Sequence, residues 1–300
     1  AGGGLNLSSN LTTDFINEGQ PLFNSSGFNL VSASATFNAS GGTYASWTFQ
    51  EQPKFFDIVT YTGNGANRTI AHNLGSEPGC IIIKSTNRNS TNWAVYHRSL
   101  GNTQYVALNT SGVAATSGAY WNNTTPTSTV FSLGTNANVN DSGGATYVAY
   151  IFAHDAGGFG PTGTENVITC GSYVGTGNTS GATINLGYEP QWILTKSTSG
   201  TGFNWGIIDN MGGIPLSGNT QYLWPNDTSQ ETAWQANGVQ LNSTGFQIVS
   251  PYGGINELGS TFIYIAIRRG PMGVPTDATK VFIPFQGNGV SGTGQTVTTN

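Results

Sequence analysis

The 300-residue chain carries 8% charged side chains, 9 basic against 14 acidic, for a net charge of −5, where an ordinary soluble domain carries about 25%. So few cations cannot neutralise a run of phosphates, which excludes nucleic acid as an expected partner. With 37% hydrophobic and 11% aromatic residues the chain can fill a core, and no run approaches the roughly 20 apolar residues of a membrane helix, so neither disorder nor membrane insertion is expected.

Gly (43 residues), Asn, Ser and Thr replace the missing charge. These residues favour turns and strand edges over helix interiors, and no stretch sustains a 3.6-residue apolar period, so the expectation is all-β with very little helix. Taken in chain order, residues 1–52 contain Phe28-Asn-Leu30 and the segment 43–49, which match Phe131-Ser-Leu133 and 146–152 at an offset of 103. They read as the C-terminal half of a β-sandwich repeat. Residues 56–154 read as a complete repeat, and 155–166, with its Gly and Pro, as a linker.

Residues 167–269 read as a second complete repeat. Tyr61, Gly63, Gly65, Leu74, Gly75, Glu77, Pro78, Lys84, Ser85 and Trp93 return as Tyr173, Gly175, Gly177, Leu186, Gly187, Glu189, Pro190, Lys196, Ser197 and Trp205, each 112 residues on and without a gap. Gly101-Asn-Thr-Gln-Tyr105 returns 117 residues on as Gly218-Asn-Thr-Gln-Tyr222, which places a five-residue insertion near Met211–Pro215; further on, Trp121 answers to Trp234 and Phe131 to Phe246. Strands are expected over 168–174, 182–186, 191–197, 204–208, 221–224, 239–241, 245–250 and 260–267, the last so continuously apolar that it should be central and covered on both faces. Residues 270–280 read as a second linker. Residues 281–300 match the opening strands of a further repeat.

The expected fold class is therefore all-β, with tandem jelly-roll or β-sandwich modules of about 100–112 residues. The ends run out of phase with the repeat. They suggest an excerpt from a longer array, or else C-terminal strands that complete the N-terminal half-module within one chain or between protomers.

The supply of catalytic chemistry is thin. Glu77 and Glu189 are the acids shared between the two repeats, but each precedes a Pro at a strand entrance and reads as a turn residue, with a nearby Lys as its partner. His72, His97 and His154 give way to Ile184, Asp209 and a residue near Arg269 in the second repeat, so they read as surface or strand histidines and not as a triad or zinc site. Cys80 and Cys170 sit among apolar residues and read as small buried hydrophobes. The Asn-x-Ser/Thr triplets, for instance at Asn38, Asn109 and Asn178, are what so Asn-rich a chain produces and say little about glycosylation. No enzyme, cofactor or metal is expected. Asn136, Asn138, Asn140 and Asp141 space oxygen-bearing side chains as calcium loops do, but with one acid and no late Glu they read better as an Asn-rich hairpin.

The recurring Trp93, Trp205, Trp121 and Trp234 are expected to anchor cores. Aromatics peculiar to the second repeat mark the places for stacking on a sugar: Trp224, Tyr252 and Trp192, the last standing where the first repeat has Cys80.

Several strings together are characteristic. They are Tyr61-x-Gly63-x-Gly65, His72-x-Leu74-Gly75-x-x-Pro78, Ile82-Ile83-Lys84-Ser85, Asn92-Trp93-x-Val95-Tyr96-His97, and the closing runs 143–153 and 262–272. They resemble the repeated β-domains of virion structural proteins of marine tailed phages, often labelled tail-fibre-like, over most of residues 24–289. The resemblance implies a homo-oligomeric appendage on the virion surface, bound to copies of itself and to other virion proteins, with host-surface glycan attachment as a common role. It supplies no catalytic residue. An extracellular bacterial filament or cell-surface adhesin would suit the same composition, and a polysaccharide-degrading fibre enzyme would require clustered acids.

Overall fold

The structure, a computed structural model, describes residues 6–16, 21–24, 27–30, 38–214, 219–236 and 238–268. The expected linker 270–280 and the opening strands 281–300 lie outside the described residues. The chain is all-β: every strand pairing among the described residues is antiparallel, and the helices there are three single turns.

β1 (Pro21–Asn24) and β2 (Gly27–Leu30) form a hairpin. Residues 43–49, matched in sequence to 146–152, do not form a strand. Their counterpart is a strand because neighbours on both sides complete its ladder, whereas no described strand flanks 43–49. That segment is held by its side chains instead. Phe49 packs its ring against Phe55, Phe56, Phe152 and Trp192, with centroids 5.5–6.4 Å apart.

There follow β3 (Phe56–Thr62), β4 (Arg68–Ala71), β5 (Pro78–Ser85), β6 (Ala94–His97), β7 (Gln104–Ala107), β8 (Ala115–Thr116), α1 (Gly118–Trp121), β9 (Val130–Leu133), α2 (Ala137–Asn140) and β10 (Thr146–Ala153). They build a sheet of order β3-β10-β5-β6-β7-β8 and a separate β4-β9 pair. After β11 (Ile168–Val174), β12 (Thr183–Asn185), β13 (Trp192–Ser197), β14 (Gly206–Asp209), β15 (Asn219–Tyr222), β16 (Thr232–Ala236), β17 (Val239–Asn242), β18 (Gly245–Ile248), α3 (Gly253–Asn256) and β19 (Thr261–Ile267), the sheets are β11-β19-β13-β14, β12-β18-β17 and β15-β16. The last strand of each half, β10 or β19, lies between the first and third strands, as its apolar run predicts: Tyr150 stands opposite Ile58 and Ile82, and Tyr264 opposite Gly171 and Thr195. Trp121 and Trp234, paired by sequence, differ in setting: Trp121 lies buried in the turn α1, whereas residue 234 lies in β16. The side chain of Trp234 is outside the described residues.

The Tyr-x-Gly-x-Gly string has a physical reason at each glycine. A Cβ on Gly63 or Gly175 would collide with the carbonyl of Asp141 or Glu257. Gly65 and Gly177 take φ of +71° and +69°, a left-handed backbone that side chains with a Cβ resist.

The two halves share a core. Side chains alternate across a strand, so Leu194, Ile263 and Ile265 join the cluster built on Ile81, Ile83, Trp121 and Ile151, while Ile193, Phe262, Tyr264 and Ala266 join a second cluster with Phe246 and Ile248. Residues 155–166 accordingly do not hold the halves apart as a spacer. They fold back on themselves through a Phe159–Glu165 bridge, and Asp155 donates its amide to Ile168 O at 3.0 Å. Gly79 approaches so closely that a Cβ there would lie 2.7 Å from Cys170 Sγ. Both cysteines are buried and unbridged, as their apolar neighbours predict.

Candidate functional site

Polar residues that recur between the halves are spent on backbone. Lys84 and Lys196, in β5 and β13, are wholly buried. Lys84 Nζ donates to Thr12 O, Thr91 O and Thr91 Oγ1 at 2.7–3.1 Å, and Lys196 Nζ to Ser111 O at 2.8 Å and to Phe203 O. Burial pulls both ammonium groups down to about 8, for Lys84 against the attraction of Asp14. These lysines do not partner the turn glutamates: Glu77 and Glu189 are exposed and take part in none of the ion pairs among the described residues.

Asn140 is buried at the end of α2, where Oδ1 accepts from Asn64 N at 2.9 Å and Nδ2 donates to Ala66 O and Gly134 O at 2.7 and 2.8 Å. Asn256, at the end of α3, bonds Thr176 N, Asn178 O and Ser250 O in the same way, each at 2.7 Å. The expected Asn-rich hairpin is therefore a capped helical turn. Asn136 caps it by accepting from Asn138 N, Asn138 Oδ1 accepts from Asn92 N, and Asp141 pairs with Arg88 at 3.5 Å. Backbone amides and a guanidinium occupy the oxygens that a calcium ion would need. A melting scan with calcium and with a chelator should accordingly give one and the same midpoint.

The histidines are strand or strand-end residues, and two are not at the surface. His72 and His97 are buried, and His154 is half-buried beside Asp155 at 3.6 Å.

Of the three residues expected to stack on a sugar, one lines a cleft. Trp192 opens β13 opposite Asp209 of β14 and Ile267 of β19. Trp47 and Phe49 arrive from upstream, and with Phe55, Met211 and Arg268 they enclose about 240 Å³. Trp47 Nε1 donates to Asp209 Oδ2 at 2.9 Å, while Asp209 Oδ1 accepts from Met211 N and Gly212 N at 2.9 and 2.6 Å. Phe49 meets Trp192 edge to face. The buried Trp192 Nε1 finds no protein acceptor, a donor whose burial costs about 1–3 kcal/mol until something accepts from it. Met211, 75% exposed, stands at the mouth. Arg268 is held by Glu165 at 3.1 Å and lies over the Tyr188 ring. Trp224 and Tyr252 do not join this cleft: both are half-buried against the second core, where Tyr252 meets Phe203 edge to face. Trp47 and Asp209 were not among the expected residues. A segment matched to a strand gave no sign that its Trp would cross to another sheet.

One family model, described as Domain of unknown function (DUF7483), matches residues 54–271 and so takes in both halves from β3 to β19. The chain belongs to that family. No curated protein and no solved structure matches this DUF7483 member.

Proposed function

We propose that the chain is a non-enzymatic structural protein, two tandem β-sandwich modules of a tailed-phage surface appendage, and that it contributes to host attachment by holding a glycan in the Trp47–Trp192 cleft. One observation carries the structural part: the polar side chains repeated between the halves, Lys84 and Lys196, Asn140 and Asn256, Tyr61 and Tyr173, all bond backbone atoms. Repetition has been spent on holding loops in place. The identical order of the first four strands in the two large sheets supports reading them as one module used twice. The phage setting comes from the sequence resemblance.

The cleft suits a sugar ring on chemical grounds. Indole and phenyl faces pack against the C–H surfaces of a sugar ring. The test is a panel of bacterial surface polysaccharides incubated with the full chain, read by tryptophan fluorescence for binding and by sizing chromatography for cleavage. Binding without shortening is expected, and Trp192→Ala should weaken it at least tenfold, about 1.4 kcal/mol. Shortened glycan would overturn the non-enzymatic reading, and binding indifferent to Trp192→Ala would overturn the cleft. Antibody labelling of purified particles tests the location.

A further inference from the structure

Three loops of the chain share one turn and one sequence triplet. In each, a carbonyl accepts from the amide three residues on: Ser8 O from Leu11 N at 3.2 Å, Ala107 O from Thr110 N at 3.4 Å, and Trp224 O from Asp227 N at 3.1 Å. The triplets Asn10-Leu11-Thr12, Asn109-Thr110-Ser111 and Asn226-Asp227-Thr228 occupy the same place in these turns.

Two of the loops sit in equivalent sockets. Loop 107–114 lies on the second module: Lys196 Nζ donates to Ser111 O at 2.8 Å, Trp205 Nε1 to Ala107 O at 2.9 Å, and Ala114 N to Thr198 O at 3.0 Å. Segment 8–15 lies on the first: Lys84 Nζ donates to Thr12 O at 3.1 Å, Trp93 Nε1 to Ser8 O at 3.1 Å, and Phe15 N to Thr86 O at 3.3 Å. On the socket side the three positions differ by 112 in every case, and on the loop side by 99. Three separate bonds in one register define a single docking mode used twice.

The third loop stands 117 residues beyond the second, with Thr228 in the place of Ser111 and Glu231 in the place of Ala114. Its residues 227–231 are exposed, and its base touches the first loop, where Ser9 Oγ donates to Pro225 O at 2.6 Å. We propose that loop 224–231 is an assembly knob that enters the Lys84–Trp93 socket of a second copy of this chain, once that copy's own segment 6–16 has left it. The inference rests on reading residues 56–268 as two copies of one module.

The second copy is the occupant because it owns the required chemistry. A socket must offer a buried ammonium, an indole N–H and a threonine carbonyl in strand register. Among the described residues Lys84, Trp93 and Thr86 do so, as do Lys196, Trp205 and Thr198. The latter set is filled by a loop tethered at both ends, between β7 and β8. Among the described residues segment 6–16 belongs to no sheet and its one β-bridge joins its own Asn6 and Ile16, so of the two occupants it is the one not fixed between strands and the one that can leave. Asp227 and Glu231 give the knob a charge complementary to a lysine socket. Because knob and socket are different surfaces, the contact is head-to-tail and either closes into a ring or propagates.

Sedimentation velocity over a concentration series tests this. The full chain should remain largely monomeric, and a chain lacking residues 1–16 should associate. An added peptide of residues 6–16 should reverse that association. In the shortened chain Glu231→Pro, which removes the amide that stands for Ala114 N, should abolish it, and Glu231→Ala should not. A shortened chain that stays monomeric, or associates despite Glu231→Pro, overturns the proposal. Should the shortened chain not fold, full-length Phe15→Pro, which removes one bond of the seated segment, must associate at lower concentration than its parent, and failure to do so overturns the proposal equally. Trp192→Ala, which leaves every knob and socket residue in place, should weaken glycan binding and leave the association of the shortened chain unchanged, so either reading can fail without the other.

Discussion

Asn140→Ala and Asn256→Ala should each lower the unfolding free energy by about 3–5 kcal/mol, a large share of the roughly 5–15 kcal/mol that holds a typical domain. Neither asparagine has measurable exposure, and each makes one accepted and two donated bonds to backbone. Truncation strands the carbonyl of Gly134 or Ser250 in a buried site, at about 1–3 kcal/mol for a group that water cannot reach, and leaves two part-buried loop groups without the bonds that anchor them, at about 1 kcal/mol each. Asn→Asp should cost more at neutral pH than Asn→Ala. It keeps the acceptor for Asn64 N or Thr176 N but turns a second oxygen toward two carbonyls. Chemical denaturation decides the matter: the midpoint should fall with the slope unchanged, since the same surface is exposed on unfolding. A loss below about 1 kcal/mol at both positions would mean that these bonds are made to water as well in the unfolded turn as to the backbone in the folded one.

The same residues show how far the sequence speaks for the fold. Asparagine at regular spacing announces a site for oxygen-mediated bonding, but a calcium loop, a hairpin and a capped helical turn all use that preference. Which one forms depends on partners such as Asn64 and Arg88, brought in from far along the chain. The apolar strands were legible because burial on both faces writes itself into consecutive residues: β11 spans the expected 168–174, and β10 and β19 are central. β16 was not expected, because Thr-Ala-Trp-Gln-Ala has too few apolar residues to alternate and owes its extension to pairing with β15. Lys84 and Lys196 look like solvated charges in any window of sequence. Their burial depends on loops whose carbonyls arrive from elsewhere, which local pattern does not encode. The cleft was half legible, through Trp192. Its other wall, Trp47, belongs to a segment that resembles a strand but, lacking flanking strands, is free to turn its indole to Asp209.

Acid should loosen the contact between the two large sheets through His97. The ring is 1% exposed in β6 and reaches across to the second sheet, with Nε2 at 3.1 Å from Tyr264 O and Nδ1 accepting from Ser99 N at 3.2 Å. Both contacts suit the neutral ring protonated on Nε2. A second proton would have to sit on Nδ1, facing an amide donor, in a site without water. Burial therefore holds His97 at about 4, with Arg98 and His154 adding to the depression and the Tyr264 carbonyl opposing it, against 6.5 for a free histidine. Between pH 6.5 and 4 the unfolded chain takes up a proton that the folded chain refuses, so stability is full above pH 6.5 and falls as the pH drops toward 4. At 1.36 kcal/mol per unit the loss amounts to at most about 3 kcal/mol. His72 and His154, also lowered chiefly by burial, act in the same direction. The measurement is the unfolding midpoint at pH 7 and pH 4.5 for the parent and for His97→Gln, whose amide can still donate to Tyr264 O but does not titrate. The parent should lose distinctly more stability than the variant over that interval, and equal losses would assign the acid sensitivity to carboxylates and the other histidines, leaving the contact between the two sheets insensitive to pH.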